Sequence, residues 1–202
     1  RHEAGMIAPL PPGDLVLETE RLILTPFGLE DTELAIALWC DPEVMRYVGD
    51  PDDPQEVRDI MPTIIRRGAG GRIGSWVIHR KDRNEKVGEV FLWPTPIDDD
   101  DIDFSQVVPD AYPRDVIEVG YVLLKMAWGQ GIATEACARL LRFAFEKTTI
   151  ATIYATIEPE NAASQSVLTK CGLYFIGEHR AWGEDAPWYQ ITRQDWQERL
   201  TT

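Results

Sequence analysis

Apolar residues along this chain recur either at alternate positions or at every third to fourth position, and these spacings predict strands and helices respectively. The strand-like stretches are Leu22 to Phe27, Gly74 to Arg80, Val87 to Trp93, Val116 to Leu124, Ile150 to Ile157, Tyr174 to His179 and Trp188 to Thr192. The helix-like stretches are Glu30 to Cys40, Gln55 to Arg67, Gly131 to Lys147 and Ala162 to Cys171, with a polar helical tail after Thr192. This order predicts an α/β fold in which helices cover a mixed sheet.

Two of these elements carry the clearest pattern. In the stretch from Gly131 to Lys147, polar residues recur at intervals of four, three and four and leave one apolar face for the sheet. The stretch from Val116 to Leu124 is apolar on both faces, as a central strand should be. Glu118 is the one charged residue in that strand, and a carboxylate at such a position requires an explanation.

The breaks in the pattern predict how the chain is divided. Prolines and a glycine between residues 9 and 13 indicate that residues 1–14 form an arm, of which residues 1–5 read as an artificial remnant of expression. Residues 15–202 are predicted to form a single domain. Within it, residues 94–115 combine prolines with the run Asp98 to Asp101, which indicates an exposed acidic loop.

Composition narrows the classes of partner. A net charge of -14 argues against a nucleic-acid partner, because phosphate binding relies on an excess of Lys and Arg, and favours a cationic one. The three widely spaced cysteines indicate neither a disulfide framework nor a metal site. There is no apolar run of about 18 residues for a membrane span and no signal sequence, so we expect a cytoplasmic protein without a membrane partner. Whether it forms a homodimer is left open.

The stretch Trp128-Gly-Gln-Gly-Ile-Ala-Thr-Glu-Ala lies between the predicted central strand and the amphipathic helix. A turn at a helix start leaves several backbone N–H groups unpaired, and the helix dipole favours an anion there. Gly129 and Gly131 permit positive φ and a close approach of ligand to backbone. The turn therefore predicts a binding site for a phosphate-bearing ligand, most simply a pyrophosphate.

Several motifs together resemble one family. They are the element order, the opening Thr19-Glu-Arg-Leu-Ile-Leu, the pair Gly120-Tyr121, the glycine-rich turn, and Asn161-Ala-Ala-Ser164 followed by Cys171-Gly172. In this combination the chain resembles the GNAT superfamily of acetyl-CoA-dependent N-acetyltransferases over roughly residues 15–198, and within it the branch that acetylates ribosomal-protein N-termini. The resemblance implies the GNAT fold, with a central mixed and mostly antiparallel sheet.

The resemblance also implies where acetyl-CoA binds. The pyrophosphate would meet the backbone of Trp128, Gly129, Gln130, Gly131, Ile132, Ala133 and Thr134, and the pantetheine would run beside the strand at Val122 and Leu124. Asn161 would contact the pantetheine or the diphosphate, and it is also a natural helix N-cap. The superfamily prefers Arg or Gln at the first turn position, so Trp128 removes one side-chain partner.

The chemistry requires an uncharged amine, a stabilised oxyanion and a proton for the departing thiolate. Glu118 is the candidate base; the alternative is a structural carboxylate paired with a base such as Arg139. Backbone N–H groups near Val122 would stabilise the oxyanion if the strand bulges there. Many family members carry a tyrosine where this chain has Leu168, and Ser164 is then either the acid or a helix cap.

These residues favour an enzyme that moves acetyl from acetyl-CoA to a primary amine, by direct attack in a ternary complex and without a metal. The acceptor would be a protein N-terminus or a small cationic amine, and the acidic loop is either an attractor for it or a solvated surface. The alternative is a GNAT-fold module that binds acyl-CoA without turnover and acts as a sensor or interaction domain.

Overall fold

The computed structural model describes residues 7–202 and places eight strands and five helices around one sheet. The strands are β1 (Leu17–Glu18), β2 (Leu22–Pro26), β3 (Gly74–Arg80), β4 (Glu85–Pro94), β5 (Ile117–Leu123), β6 (Thr152–Thr156), β7 (Tyr174–Ala181) and β8 (Glu184–Thr192). The helices are α1 (Thr32–Trp39), α2 (Pro54–Ile64), α3 (Ile132–Lys147), α4 (Ala162–Lys170) and α5 (Arg193–Leu200). The predicted order of elements is confirmed, with β1 as an addition.

The sheet has the spatial order β1-β2-β3-β4-β5-β6-β8-β7. Every neighbouring pair is antiparallel except β5 and β6, which run parallel. The predicted mixed and mostly antiparallel sheet is therefore confirmed. The β5 strand is central, as its two apolar faces predicted.

The two faces of the sheet bury two separate cores. One core lies under α3 and includes Val90, Val119 and Leu140. The other lies under α1 and α2 and includes Val77, Val122 and residues of both helices. Since strand residues alternate between faces, Glu118, Gly120 and Val122 of β5 all point toward α1 and α2.

Several predicted boundaries shift by a few residues. The first helix begins at Thr32 after a short 3-10 turn at Leu29–Asp31, and α2 ends at Ile64, three residues before Arg67. The last strand begins at Glu184 rather than Trp188 because β7 and β8 form a tight hairpin around Trp182 and Gly183. No helix among residues 7–202 is long and apolar enough to cross a membrane.

Candidate active site

The turn between β5 and α3 presents a row of backbone amides. Gly129 and Gly131 have φ of +69° and +76°, which glycine adopts without strain. Gly131 is the N-cap of α3 and no side chain caps the helix. The amides of residues 129–134 donate to no acceptor within the described part of the chain. These unpaired donors at a helix start fit the predicted anion site.

Two arginines from β2 and β3 flank this turn. Arg21 donates from Nη1 to the carbonyl of Gln130 at 2.8 Å and pairs through Nε with Glu135 at 2.7 Å. Arg80 donates from Nη1 to Gln130 Oε1 at 3.2 Å. Beside them lies a cavity of about 310 Å³ lined by Glu20, Arg21, Leu22, Arg80, Lys81, Asp82 and Ile132. Positive side chains therefore stand next to the unpaired amides.

Side chains of the turn hold its shape and leave the backbone accessible. The Trp128 indole donates to the carbonyl of Leu123 at 3.0 Å, and the side-chain amide of Gln130 donates to the carbonyl of Met126 at 2.9 Å. Ile132 is buried and Ala133 packs against the larger core. The carbonyl of Thr134 accepts from the Cys171 thiol at 3.5 Å, so α4 is fixed to the start of α3.

The parallel strands β5 and β6 separate after a single pairing, between Glu118 and Tyr154. Leu124 donates its backbone N–H to Val87 of β4, so by alternation the amide of Val122 also points to β4. The backbone groups of Tyr121 and Leu123 point the other way, into the gap between β5 and β6. These residues lie one position from Val122 and Leu124, which the sequence suggested for the cofactor contact.

The bulge on which an oxyanion site near Val122 was conditional is not present in β5. The register between β4 and β5 runs unbroken from Gly88 opposite Leu123 to Pro94 opposite Ile117. The irregularities of the sheet lie elsewhere, in the β3–β4 and β7–β8 pairs. The separation of β5 from β6, rather than a bulge, is what frees backbone N–H groups on this strand.

Glu118 is 4% exposed and receives a neutral hydrogen bond rather than a counter-ion. Its Oε2 accepts from the hydroxyl of Thr156 at 3.0 Å, and Thr156 in turn accepts from the Trp182 indole at 3.2 Å. Burial raises the pKa of Glu118 to about 7, against the hydrogen bond from Thr156. The alternative pairing with Arg139 is wrong, because Arg139 donates to the carbonyl of Glu18 on the far side of the sheet.

A second buried carboxyl, Glu89 of β4, lies on the same face. It is 4% exposed, and its Oε2 accepts from the hydroxyl of Ser75 at 3.0 Å. Ser75 in turn accepts from the Trp93 indole at 3.1 Å. Burial raises the pKa of Glu89 to about 7, while hydrogen bonds from Ser75 and Trp39 oppose the rise. Glu118 and Glu89 therefore share one arrangement of carboxyl, hydroxyl and indole.

The start of α4 faces the gap between β5 and β6. Asn161 caps the helix, because its Oδ1 accepts from the amide of Ser164 at 3.1 Å. The hydroxyl of Ser164 accepts from the side-chain amide of Asn161 at 3.1 Å, so Ser164 is not the cap. Tyr121 of β5 points its hydroxyl to the carbonyl of Ser164 at 3.4 Å, and burial raises its pKa. Leu168 is buried in the core.

The acidic loop between β4 and β5 packs against the β7–β8 hairpin. The amides of Trp182 and Gly183 donate to the carbonyls of Pro96 and Ile97, both at 2.9 Å. Asp98 pairs with Arg180 at 2.6 Å between exposed side chains. Since Trp182 also bonds to Thr156, the beginning of this loop lies two hydrogen bonds from the hydroxyl that holds Glu118.

The sequence analysis missed Arg21, Arg80 and Glu89. Arg21 lies in the quoted motif Thr19 to Leu24, but nothing in the motif places its side chain beside a turn more than 100 residues later in the chain. Glu89 lies in a strand of mixed polarity, where a carboxylate ordinarily faces solvent. One signal was available for Glu89. It is a charged residue between Gly88 and Val90 in a strand that the first two helices could cover, and a covered strand would bury its side chain.

Comparison with known proteins agrees with this geometry. Residues 21–174 match the family model described as "Acetyltransferase (GNAT) domain". The chain is 29% identical over 191 residues to the FsC-acetyl coenzyme A-N(2)-transacetylase of Aspergillus fumigatus, covering 89% of this chain and 77% of that protein. It is 30% identical over 154 residues to the uncharacterized N-acetyltransferase p20 of Bacillus licheniformis, covering 75% of this chain and 78% of that protein.

Solved structures share the fold at lower identity. The acetyltransferase from Agrobacterium tumefaciens superimposes with a TM-score of 0.69 at 22% identity, over 94% of this chain and 98% of that one. The aminoglycoside acetyltransferase AAC(6')-Ib, solved with ribostamycin and coenzyme A, gives a TM-score of 0.70 at 14% identity, over 91% of this chain and 99% of that one. With most of its length covered by the family model, this chain belongs to the GNAT family of acetyltransferases.

Proposed function

We propose that this protein transfers an acetyl group from acetyl-CoA to the primary amine of a cationic acceptor, by direct attack in a ternary complex. One observation carries the proposal. A buried carboxyl whose pKa is about 7 lies on β5, and the same strand leads into a turn of unpaired amides. A candidate base and a candidate pyrophosphate site are thus held on one continuous element.

Acetyl-CoA, when bound, supplies the thioester that the amine attacks. The backbone of residues 128–134 is suited to its pyrophosphate, since Gly129 leaves open space where a side chain would stand. Arg21 and Arg80 add positive charge beside that turn. The free backbone groups of Tyr121 and the N–H of Leu123 offer hydrogen bonds to the pantetheine, in the manner of an added strand, while the Leu123 carbonyl already accepts from the Trp128 indole.

Glu118 acts in this proposal as the general base. An acceptor amine arrives as an ammonium ion and must lose a proton before its lone pair is available. A carboxylate with a pKa of about 7 is a stronger base than an ordinary one and is about half ionised at neutral pH. The hydrogen bond from Thr156 orients the Glu118 carboxyl.

The departing group and the oxyanion have separate partners. As the amine nitrogen bonds to the carbonyl carbon, negative charge develops on the carbonyl oxygen, and a backbone N–H of β5 facing the gap stabilises it. The carbon–sulfur bond then breaks and CoA leaves as a thiolate. The Ser164 hydroxyl donates a hydrogen bond to that sulfur, because its own oxygen already accepts from Asn161.

The acceptor is proposed to be cationic beyond its reacting amine. The acidic loop meets the hairpin that holds the hydroxyl partner of Glu118. The pKa of Asp52 is raised, first by burial, then by the charge of Asp53 and then by that of Asp101. Since Asp101 belongs to the acidic loop, this loop approaches the acidic segment before α2. Two acidic segments on one side of the sheet attract an acceptor with several positive charges. Aminoglycosides and basic protein N-termini both have this chemistry.

A second candidate, binding of acyl-CoA without turnover, is favoured by one residue. Leu168 occupies the position of the usual tyrosine and is 1% exposed, so it cannot give a proton to a thiolate. The chain would then be a sensor or interaction module.

Release of free thiol from acetyl-CoA over a panel of amines tests the proposal. The panel should include spermidine, an aminoglycoside, peptides with free N-termini and neutral amines of similar size. We expect release that depends on a polycationic amine. Tight binding of acetyl-CoA with no release for any amine would leave the binding module as the function.

A further inference from the structure

One face of strands β6, β8 and β7 lies outside both apolar cores. The core under α1 and α2, on the face of the sheet that carries Glu118, includes no described residue of these three strands. Their opposite face is closed, because Ile153, Ala155 and Ile191 belong to the core under α3. The half of the sheet beyond β5 therefore has a surface free of core packing on the side of the candidate base.

Strand pairing fixes which side chains stand on this surface. Residues directly opposite one another in a sheet point to the same side, so Glu118 shares its face with Tyr154, its partner in β6. By alternation along β8 and β7, Trp188 and His179 point the same way. The strand residues that share this face include the carboxylate Glu184 but no Lys or Arg. We call this surface, with Tyr154, Trp188 and His179, the aromatic face.

The aromatic residues support one another. The rings of Tyr154 and Trp188 meet edge to face, with centroids 5.5 Å apart, and the His179 ring meets Trp188 at 6.4 Å. Trp188 is 5% exposed whereas Tyr154 is half-buried, so Trp188 holds the ring of Tyr154 in place and Tyr154 supplies the accessible surface. Trp182 reaches the same face from the hairpin turn, since its indole donates to the hydroxyl of Thr156.

Tyr154 lies next to the candidate base. It is the residue of β6 that pairs with β5, and neighbouring strands are about 4.8 Å apart. The two strands separate after this pair, so Tyr154 lies at the edge of the gap assigned to the pantetheine. A second positive group, a few carbon atoms from an amine held at Glu118, comes within reach of the Tyr154 ring.

We propose that the Tyr154 ring binds a second positive charge of the acceptor, a few carbon atoms from the amine that is acetylated. The inference rests on the proposed acetyl transfer and identifies the acceptor as a diamine or polyamine. A cation within about 6 Å of a ring centroid is attracted by the negative face of the ring. Glu118 and Glu184 make the surroundings of this ring favourable to a cation.

No side chain of the protein already fills this role at Tyr154. The arginines that stack on aromatic rings within residues 7–202 use the rings of Tyr47, Trp76 and Phe145. Arg180 of β7 points to the opposite face and pairs with Asp98. A cation from the acceptor therefore meets no competing positive side chain on the aromatic face.

The test compares two acceptors of equal length. Cadaverine has an amine at each end of a pentyl chain, and in aminopentanol a hydroxyl replaces the second amine. The ratio of their kcat/KM values is measured for the wild type, Tyr154→Leu and Tyr154→Phe, of which the last keeps the ring and removes the hydroxyl. Phe175→Leu is the matched control, because Phe175 is an exposed aromatic residue on the opposite face of the same hairpin.

We expect the ratio in favour of cadaverine to be about three- to tenfold lower in Tyr154→Leu than in the wild type. Tyr154→Phe and Phe175→Leu should keep the wild-type ratio. An unchanged ratio in Tyr154→Leu, or an equal fall in Tyr154→Phe, would overturn the proposal, because the ring would then not be what binds the charge.

Calorimetry on the complex with CoA, which has no acetyl group to transfer, gives a readout without turnover. Cadaverine should bind the wild type more tightly than aminopentanol does, and equal affinities would overturn the proposal whether or not a variant folds. If the difference in affinity is found and is lost in Tyr154→Leu, but no amine is acetylated, the cation site stands and the proposed function fails. Acetyl transfer with the same ratio in the wild type and Tyr154→Leu refutes the cation site alone.

Discussion

Replacing Glu118 with glutamine should remove a large part of the pH dependence of stability. The folded pKa of about 7 lies above the ordinary value of 4.5, so the folded protein holds this proton more tightly than the unfolded chain does. The stabilisation from Glu118 is therefore fully present below about pH 4.5 and is lost as the pH rises through 7. At 1.36 kcal/mol per pH unit the loss is about 3 kcal/mol.

Glutamine keeps the shape and an acceptor for the Thr156 hydroxyl but does not titrate. We therefore expect the free energy of unfolding, measured in urea, to change in favour of Glu118→Gln as the pH rises. The difference between variant and wild type should increase by up to about 3 kcal/mol between pH 5 and pH 8. For a domain of this size the corresponding difference in Tm is roughly 6 to 12 °C. The comparison between the two proteins at each pH cancels the other titrating groups.

Glu160→Gln serves as the control, because it neutralises an exposed carboxyl elsewhere on the domain. Its difference from the wild type should stay nearly constant over the same pH range. A Glu118→Gln difference that is equally flat would mean that Glu118 is not held protonated by burial, and the argument for its basicity would fail with it. If Glu118 is also the base, kcat of the wild type rises with pH through about 7, and the variant is slower by on the order of 10²-fold without that step.

Four further results are expected. Gly131→Val should lose acetyl-CoA affinity by calorimetry while its circular dichroism stays native, since a Cβ there stands 3.2 Å from Arg21 and in the path of an anion; unchanged affinity would remove the turn from the cofactor site. Arg80→Gln should weaken CoA binding and reduce its salt dependence, and a salt dependence like that of the wild type would place Arg80 outside the site. Replacing Asp98 to Asp101 with Asn should raise KM for a polycationic acceptor at low salt and leave KM for a neutral amine unaltered; an equal KM for both proteins would make the loop a solvated surface. Glu89→Gln should flatten the stability profile as Glu118→Gln does but keep the pH dependence of kcat, and a loss of that dependence would assign Glu89 to the chemistry instead.

The order of elements was predictable because each depends on local pattern. The helix α3 was predicted to within one residue, since its charges keep to one face over 16 residues. The last strand was predicted four residues too short, because Glu184 and Asp185 are charged, Pro187 lacks an N–H, and only pairing with β7 makes this segment a strand. In this segment, pairing within the hairpin overrides a low intrinsic preference for strand.

The part of the site that is formed by the backbone of one local segment was predictable from the sequence. The part that depends on contacts between distant segments was less so. The glycine-rich turn has the expected conformation because its glycines fix it locally. By contrast, an apolar strand does not reveal which of its amides face which neighbouring strand, and in β5 this follows only from its pairing with β4. Arg21, Arg80 and Glu89 take their places from strand pairing and helix cover, which act across long sequence separations.

Trp182 is unfavourable for the turn in which it lies, but its side chain contacts the candidate active site. It occupies the first place of a two-residue hairpin turn with φ of +56°, and Gly183 follows with +75°. Such turns favour Asn-Gly, and a bulky side chain in the left-handed region costs roughly 1–2 kcal/mol. The indole repays this by reaching Thr156 beside Glu118. Selection of variants for heat resistance alone should replace Trp182 by Asn or Gly, and selection for turnover should restore it.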